Sequence, residues 1–391
     1  MNHPSLQQSV KSVYDMLIIT ITLSRFGRRH LRRPAMKPMT SHERFSRIYA
    51  HKDADRIPIS DQPWRGTIQR WHREGLPAGM SYIDYFDLDH VVQISVDNSP
   101  RYPVRVLEEN DDWTIETTPW GVTLRQFKAL DSTPEFLDFK ITTPDSWIEA
   151  KARMTASPDR INWRELQKNY RKWREQGAWI QGGLWFGFDV THSWMTGTET
   201  LLIAMIEEPE WCVDMFNHYL DTGLALLDQV WDAGYHFDCI TWPDDMGYRQ
   251  HQFFSLDMYR ELLKPVQKRA IEWAHAHGIK AHLHSCGDIN PIVPELIEIG
   301  LDALNPLEVK AGMNPVGLKQ AYGRDLVFHG GINAVLWDDR EKIEAEMKRV
   351  IPIMKESGGY IFASDHSIPN TVSFDNFRKI IELVRELGSY H

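Results

Sequence analysis

Cysteine is scarce: Cys212, Cys239 and Cys286 are the only three in 391 residues. An odd, scattered trio in a chain of this size is not a disulfide framework and points to a reducing compartment, the cytoplasm. Long apolar runs are lacking as well. The run from Met16 to Leu23 is too short for a bilayer, and the basic stretch Arg25 to Arg33 follows it, where a secretory signal would carry its charges in front. No membrane span is expected. An excess of positive charge is also missing: 44 Lys and Arg against 54 Asp and Glu give a net charge of -10, mixed in sign beyond the first 35 residues or so. Without a basic stripe to neutralise phosphates, nucleic acid is excluded as the expected partner. Internal repeats, low-complexity segments and linker-like stretches are absent too, so one domain is the simplest organisation.

What is present is a 42% share of hydrophobic residues, enough for a sizeable core. The sequence Thr40-x-x-Glu43 is a capping box that opens the first strong helix. Folded structure is therefore expected over 39–391, with 1–38 as a disordered extension or as residues outside the native protein. Beyond residue 40, short β-rich runs alternate with amphipathic helical stretches, the pattern of a parallel sheet wound with helices. Eight strands are expected: Ile57–Asp61, Val91–Asp97, Trp179–Leu184, Cys239–Trp242, Lys280–His284, Ala303–Leu307, Leu326–His329 and Tyr360–Ser364. Pro209 and Pro265 sit near helix starts, and Gly234, Gly278 and Gly300 sit where left-handed C-terminal residues belong. Val104–Glu108, Trp113–Thr117 and Val122–Phe127 read as an antiparallel meander inserted between the second and third strands. The fold expected is a single (β/α)₈ TIM-type barrel with a small antiparallel insertion.

In such a barrel, strand C-termini converge on one mouth, and polar residues there are candidates for chemistry. They are Asp61, Asp97, Asp244 with Asp245, His284 with Cys286, Glu308, His329, and Asp365 with His366. The sharpest group is His282-Leu283-His284-Ser285-Cys286-Gly287. Alternate residues of a strand share a face, so His282, His284 and Cys286 point together. An imidazole and a thiolate two residues apart form half of a zinc site, although a strand can equally carry a packed histidine and a structural cysteine. Further ligands must come from neighbouring strand ends. His366 is the first candidate, against a plain loop histidine; Glu308 is the next, as a fourth ligand or a base behind the metal, against simple pairing with Lys310. The adjacent carboxylates of Asp244 and Asp245 raise one another's proton affinity and suit proton handling, substrate orientation or cation binding. A capping or solvated acidic turn is their plainer reading, and Asp61 carries the same two. Trp64, Trp185, Phe186, Phe188, Trp194 and Trp242 fall near strand ends, which packing explains as well as an apolar ligand does.

Several segments together resemble the uroporphyrinogen decarboxylase superfamily. They are Asp55-Arg56-Ile57-Pro58, Leu256 to Pro265, His284-Ser285-Cys286-Gly287, Phe328-His329-Gly330-Gly331-Ile332-Asn333 and Asp365-His366-Ser367-Ile368-Pro369. The superfamily joins the haem-pathway decarboxylase to the zinc-bearing, cobalamin-dependent methyltransferases of methanogens and acetogens, all built on one distorted barrel. The likeness runs from about Asp55 to Leu387. The His-x-Cys-Gly motif is similar to that of the methyltransferases, where it supplies two zinc ligands; their third ligand is a cysteine at the position of His366. The last loop therefore resembles the decarboxylase more closely. The arginine-rich entry segment of the decarboxylase is replaced here by Asp61-Gln62-Pro63-Trp64-Arg65, leaving Arg65 and Arg70 as its only substitutes. A substrate with eight carboxylates needs a cationic pocket, and this mouth is acidic and aromatic.

The resemblance thus implies a zinc-dependent methyltransferase-like enzyme that moves a methyl group between a small molecule or thiol and a corrinoid. His284, Cys286 and His366 would hold zinc, Asp244 or Asp245 would manage a proton or orient substrate, and Glu308 would support the site. The chain carries no Asp-x-His-x-x-Gly loop of the kind that takes the lower face of cobalt, so a separate corrinoid protein is the expected partner. Two alternatives stand beside this reading. One is a decarboxylase of uroporphyrinogen type, with Asp61 holding pyrrole nitrogens and His366 acting on the substrate; the other is a barrel that only binds a ligand.

Overall fold

The computed structural model describes residues 38–128 and 133–390. The expected N-terminal extension therefore lies, but for Pro38, outside the described residues. Eleven strands are described: β1 (Val91–Ser95), β2 (Val106–Glu109), β3 (Trp113–Thr117), β4 (Val122–Phe127), β5 (Glu135–Phe139), β6 (Trp179–Gly183), β7 (Cys239–Pro243), β8 (Lys280–His284), β9 (Ala303–Asn305), β10 (Val327–His329) and β11 (Tyr360–Ile361). Seven of them form a parallel sheet in the order β1-β6-β7-β8-β9-β10-β11. Parallel neighbours need a crossover, and helices supply it: Trp163–Glu175 leads into β6, Pro209–Asp232 into β7, Lys264–Ala276 into β8 and Arg340–Met354 into β11. Pro209 and Pro265 occupy the first turns of their helices, and Gly234, Gly278 and Gly300 are left-handed, as their positions in the sequence demand. The result is an α/β barrel of TIM type.

The first of the eight expected strands is a correction. Ile57–Asp61 forms only one parallel bridge, from Ile59 to Phe362. Pro58 has no N–H to donate, so a regular ladder cannot run through it. The segment nevertheless fills the eighth place. Ser60 N donates to Phe362 O on the β11 side, and Ile59 O accepts from Asp89 N just before β1. The meander is also larger than expected, because Glu135–Phe139 adds a fourth strand in the order β2-β3-β4-β5. Its acid-rich, mostly exposed sequence carries little alternation by which to recognise it.

One end of the barrel is plugged. The helix Ser41–Tyr49 starts at the capping box, with Thr40 and Glu43 bonding reciprocally. It stacks Phe45 and Tyr49 against Trp179, with ring centroids 5.4 and 5.2 Å away. These rings pack with Cys239, Ala303, Val327 and Ile361, all in the first two residues of their strands, so the plug closes the N-terminal end. Buried charge locks it there. Arg44 makes a two-pronged contact with Asp55, at 2.7 and 2.8 Å, and a further contact with Asp89. Asp89, wholly buried, also accepts from Arg56 at 2.6 Å and from Ile59 N at 2.8 Å. Asp55-Arg56-Ile57-Pro58 is thereby the clasp between plug and barrel wall. Chemistry is left to the opposite mouth. Among the described residues no helix is long and apolar enough to cross a membrane.

Candidate metal centre

Strand β8 points His282 and His284 to the same face, but they meet different surroundings. His282 is buried, with Nδ1 3.0 Å from the hydroxyl of Tyr49 in the plug, and burial holds its imidazole well below the ordinary value. It belongs to the barrel floor. His284, two residues nearer the mouth, places Nε2 3.3 Å from Sγ of Cys286. Strand β7 runs in register beside it, Pro243 opposite His284, which brings Asp245 to the same spot. Its Oδ1 lies 3.7 Å from His284 Nε2 and accepts the Cys286 N–H at 2.7 Å. Ligand atoms of Asp245, His284 and Cys286 all fall within 4.8 Å of one another.

The turn behind this trio depends on Gly287. Its φ is +83°, and a Cβ there would lie 2.1 to 2.5 Å from the backbone of Gly247 and Tyr248. Only glycine allows that approach. The Gly287 N–H donates to Glu308 Oε2 at 2.7 Å, while Glu308 Oε1 pairs with Lys310 at 3.2 Å. Glu308 thus buttresses the turn, and the pairing with Lys310 weighed from the sequence is formed. On its other side His284 Nδ1 lies 2.5 Å from Asn305 Oδ1.

The electrostatics are one-sided. Burial pushes the Cys286 thiol well above its ordinary value, and the charges of Asp245 and Glu308 push it further. Burial also raises Asp245, against the pull of His284. Lys310 is too little cation for so many acids.

The remaining candidates take other places. His366 is not one of the three clustered groups; its ring stands 6.0 Å from Trp64, and burial and Lys310 lower its basicity while Glu308 raises it. Asp244 turns into the wall. It is fully buried, accepts from Asp189 N at 3.0 Å and Gln267 Nε2 at 2.7 Å, and burial raises it to about 8. Asp61 accepts from Ser364 N at 2.6 Å, Ser364 Oγ at 3.0 Å and Gln62 N at 2.7 Å, and burial raises it to about 7. It ties the eighth barrel position to the last strand end. Trp242 and Phe186, stacked 5.4 Å apart, are core together with Phe188. Half-buried Trp185 has Trp120 and Trp194 each 6.0 Å away.

Sequence reasoning passed over three residues here. Asp189, in the short helix Phe188–Thr191 after β6, and His192, in the helical turn that follows it, stand 3.5 Å apart, and the charge of Asp189 acts on both Asp245 and Cys286. They follow a strand end like the other candidates, but the crowd of aromatics around them masked that signal. Asn305, uncharged at the end of β9, offered no signal beyond its position.

Comparison with known proteins agrees with this architecture. The chain is similar to the uroporphyrinogen decarboxylase of Protochlamydia amoebophila (strain UWE25), at 26% identity over 187 residues. That match covers 46% of this chain and 47% of the relative, so it spans about half the length of each. A methyltransferase from Methanosarcina mazei superposes with a TM-score of 0.60 at 14% identity, covering 89% of this chain and 99% of that one, a likeness of fold. The pattern that defines the uroporphyrinogen decarboxylase (URO-D) family matches residues 188–387, a stretch that holds the triad, Glu308 and His366. The chain belongs to the uroporphyrinogen decarboxylase family.

Proposed function

We propose that this barrel is a zinc-dependent methyltransferase-like enzyme, working between a small molecule or thiol and a corrinoid carried by a separate protein. The observation that carries the reading is the convergence of Asp245, His284 and Cys286 within 4.8 Å. Their chemistry fits zinc, which takes imidazole nitrogen, thiolate sulfur and carboxylate oxygen together and keeps a position open in catalytic sites. Their spacing fits as well. Tetrahedral bonds of about 2.05 Å to nitrogen and 2.3 Å to sulfur separate those two atoms by about 3.6 Å, against 3.3 Å here. The surplus of acid at the site is a further support, since a cation would offset both the burial and the carboxylate charges that raise the Cys286 thiol.

When bound, the ion would act as a Lewis acid, lowering the proton affinity of a thiol or polarising a leaving group. The protein's own contributions are separate. Glu308 and Asp245 hold the Cys286-Gly287 turn through its backbone N–H groups. Asp189 and His192 stand near enough to manage a proton on the substrate side. His366 and the half-buried tryptophans would line the approach, with His366 as a further ligand once substrate closes the mouth. The test follows corrinoid absorbance under reducing conditions, with candidate methyl donors, with and without a corrinoid protein from the same organism. Methylation of that protein, abolished by Cys286→Ala, is the expected result; failure of every donor would remove the reading's main support.

The curated relative is named a uroporphyrinogen decarboxylase, which favours decarboxylation as a second reading. The entry segment weighs against it. Arg70 is spent on Glu74 at 2.6 Å and on the carbonyls of Asn370 and Thr371 at 2.7 and 2.8 Å, leaving Arg65 to meet an octa-acid.

A further inference from the structure

We infer that Asn305 is a positioning residue that sets the tautomer of His284, so that Nε2 faces Cys286 as a bare lone pair before any ligand arrives. The inference deepens the metal-centre reading and rests on it. Three neighbouring strands supply the parts. His284 ends β8, Asn305 ends β9 directly opposite it in register, and His329 ends β10 on the far side.

The backbone carbonyl of His329 only accepts hydrogen bonds, and Asn305 Nδ2 lies 3.2 Å from it. The amide nitrogen must face that carbonyl, because the flipped amide would set two oxygens against each other. Oδ1 is then turned to His284, 2.5 Å from Nδ1. An amide oxygen has nothing to donate, so Nδ1 carries the proton. In a neutral imidazole the other nitrogen is then the acceptor. That nitrogen is the one 3.3 Å from Cys286 Sγ and 3.7 Å from Asp245 Oδ1. The opposite tautomer would aim an N–H at the place where a ligand lone pair is needed.

An asparagine suits this position better than an aspartate. A carboxylate would accept from Nδ1 equally well, but it would face the His329 carbonyl with no proton between them. Leucine, similar in volume, supplies neither donor nor acceptor. The two variants therefore separate shape from hydrogen bonding.

The test uses the full chain, labelled with ¹⁵N-histidine, metal-free and at alkaline pH; the spectrum of His284→Ala identifies the His284 signals. Wild type is expected to show His284 as the Nδ1–H form. Asn305→Leu should lose that form and bind zinc about 10- to 100-fold more weakly, the usual effect of removing a partner that orients a ligand. Asn305→Asp should retain the form, and circular dichroism checks that each variant is folded. An unchanged His284 spectrum in Asn305→Leu would overturn the inference, as would loss of the form in both variants, which would mark a general structural role. Zinc titration of wild type is a separate arm. If it shows no binding, the metal reading fails, while the tautomer spectra still decide the role of Asn305.

Discussion

The carboxylate of Asp245 accepts the backbone N–H of Cys286 at 2.7 Å while it faces His284, so one side chain both shapes the turn and belongs to the candidate ligand group. Two substitutions divide these roles. Asp245→Asn keeps an oxygen for the Cys286 N–H and loses the charge; Asp245→Ala loses both. Zinc titration should show at least a tenfold loss for the amide, about 1.4 kcal/mol, and a larger one for alanine. His366→Ala, outside the trio, should change affinity less than either. An affinity loss in His366→Ala equal to that in Cys286→Ala would move the ligand set toward the last loop.

Asp89 predicts the largest loss of stability. It is wholly buried between Arg44 and Arg56, and removing it strands Arg44, itself nearly buried, without one of its two anions. Breaking a buried pair by deleting one partner costs about 3–5 kcal/mol. Asp89→Ala should lower the urea midpoint accordingly; a loss below about 1 kcal/mol, the range of exposed ion pairs, would show that the clasp is not tight.

The pH dependence of folding follows from Asp244 and Asp61. Burial raises Asp244 from 3.8 to about 8 and Asp61 from 3.8 to about 7. Between those limits the native state binds more protons than the unfolded chain, so stability falls as pH rises, by at most about 1.4 kcal/mol per unit for each group. Below about 4 both states are protonated and the dependence ends. In Asp244→Asn, which mimics the protonated acid, Gln267 can turn its amide to accept from the new N–H, with Tyr259 accepting in its turn. Urea unfolding between pH 5 and 9 should show a shallower decline for this variant than for wild type. Parallel declines would contradict the assignment to Asp244.

Uroporphyrinogen should not be turned over at enzymic rates of roughly one per second or more. Arg70 is occupied by its own chain, and the mouth carries Asp61, Asp245 and Glu308 where eight carboxylates would have to sit. The assay is coproporphyrinogen formation by the purified protein. Product at such rates, abolished by His366→Ala, would exchange the order of the two readings.

The barrel was legible because its signals are local. Proline at helix starts and left-handed glycines after them mark the units that lead into β7, β8 and β9, β-rich runs mark the strands, and the capping box at Thr40 marks the first described helix to the residue. Ile57–Asp61 was misjudged in kind: its apolar character suits a strand, yet Pro58 removes the N–H that a ladder needs. At the site, His284 and Cys286 could be paired from strand periodicity because they share one strand. Asp245 was visible only as one of two adjacent acids. Which of the two reaches the mouth depends on a packing choice that sends Asp244 to Gln267, and no periodicity records it. Asn305 was invisible for a related reason, since its role arises from register across three strands.

Asp245, His284 and Cys286 are proposed to hold a metal. The most direct measurement is the zinc retained per chain after loading and extensive dialysis, by elemental analysis, in wild type and in His284→Ala with Cys286→Ala. About one zinc per wild-type chain, matching one three-ligand site with an open position, and none in the double variant is the predicted result. A wild-type chain that retains no zinc, or a double variant that retains as much, would contradict it.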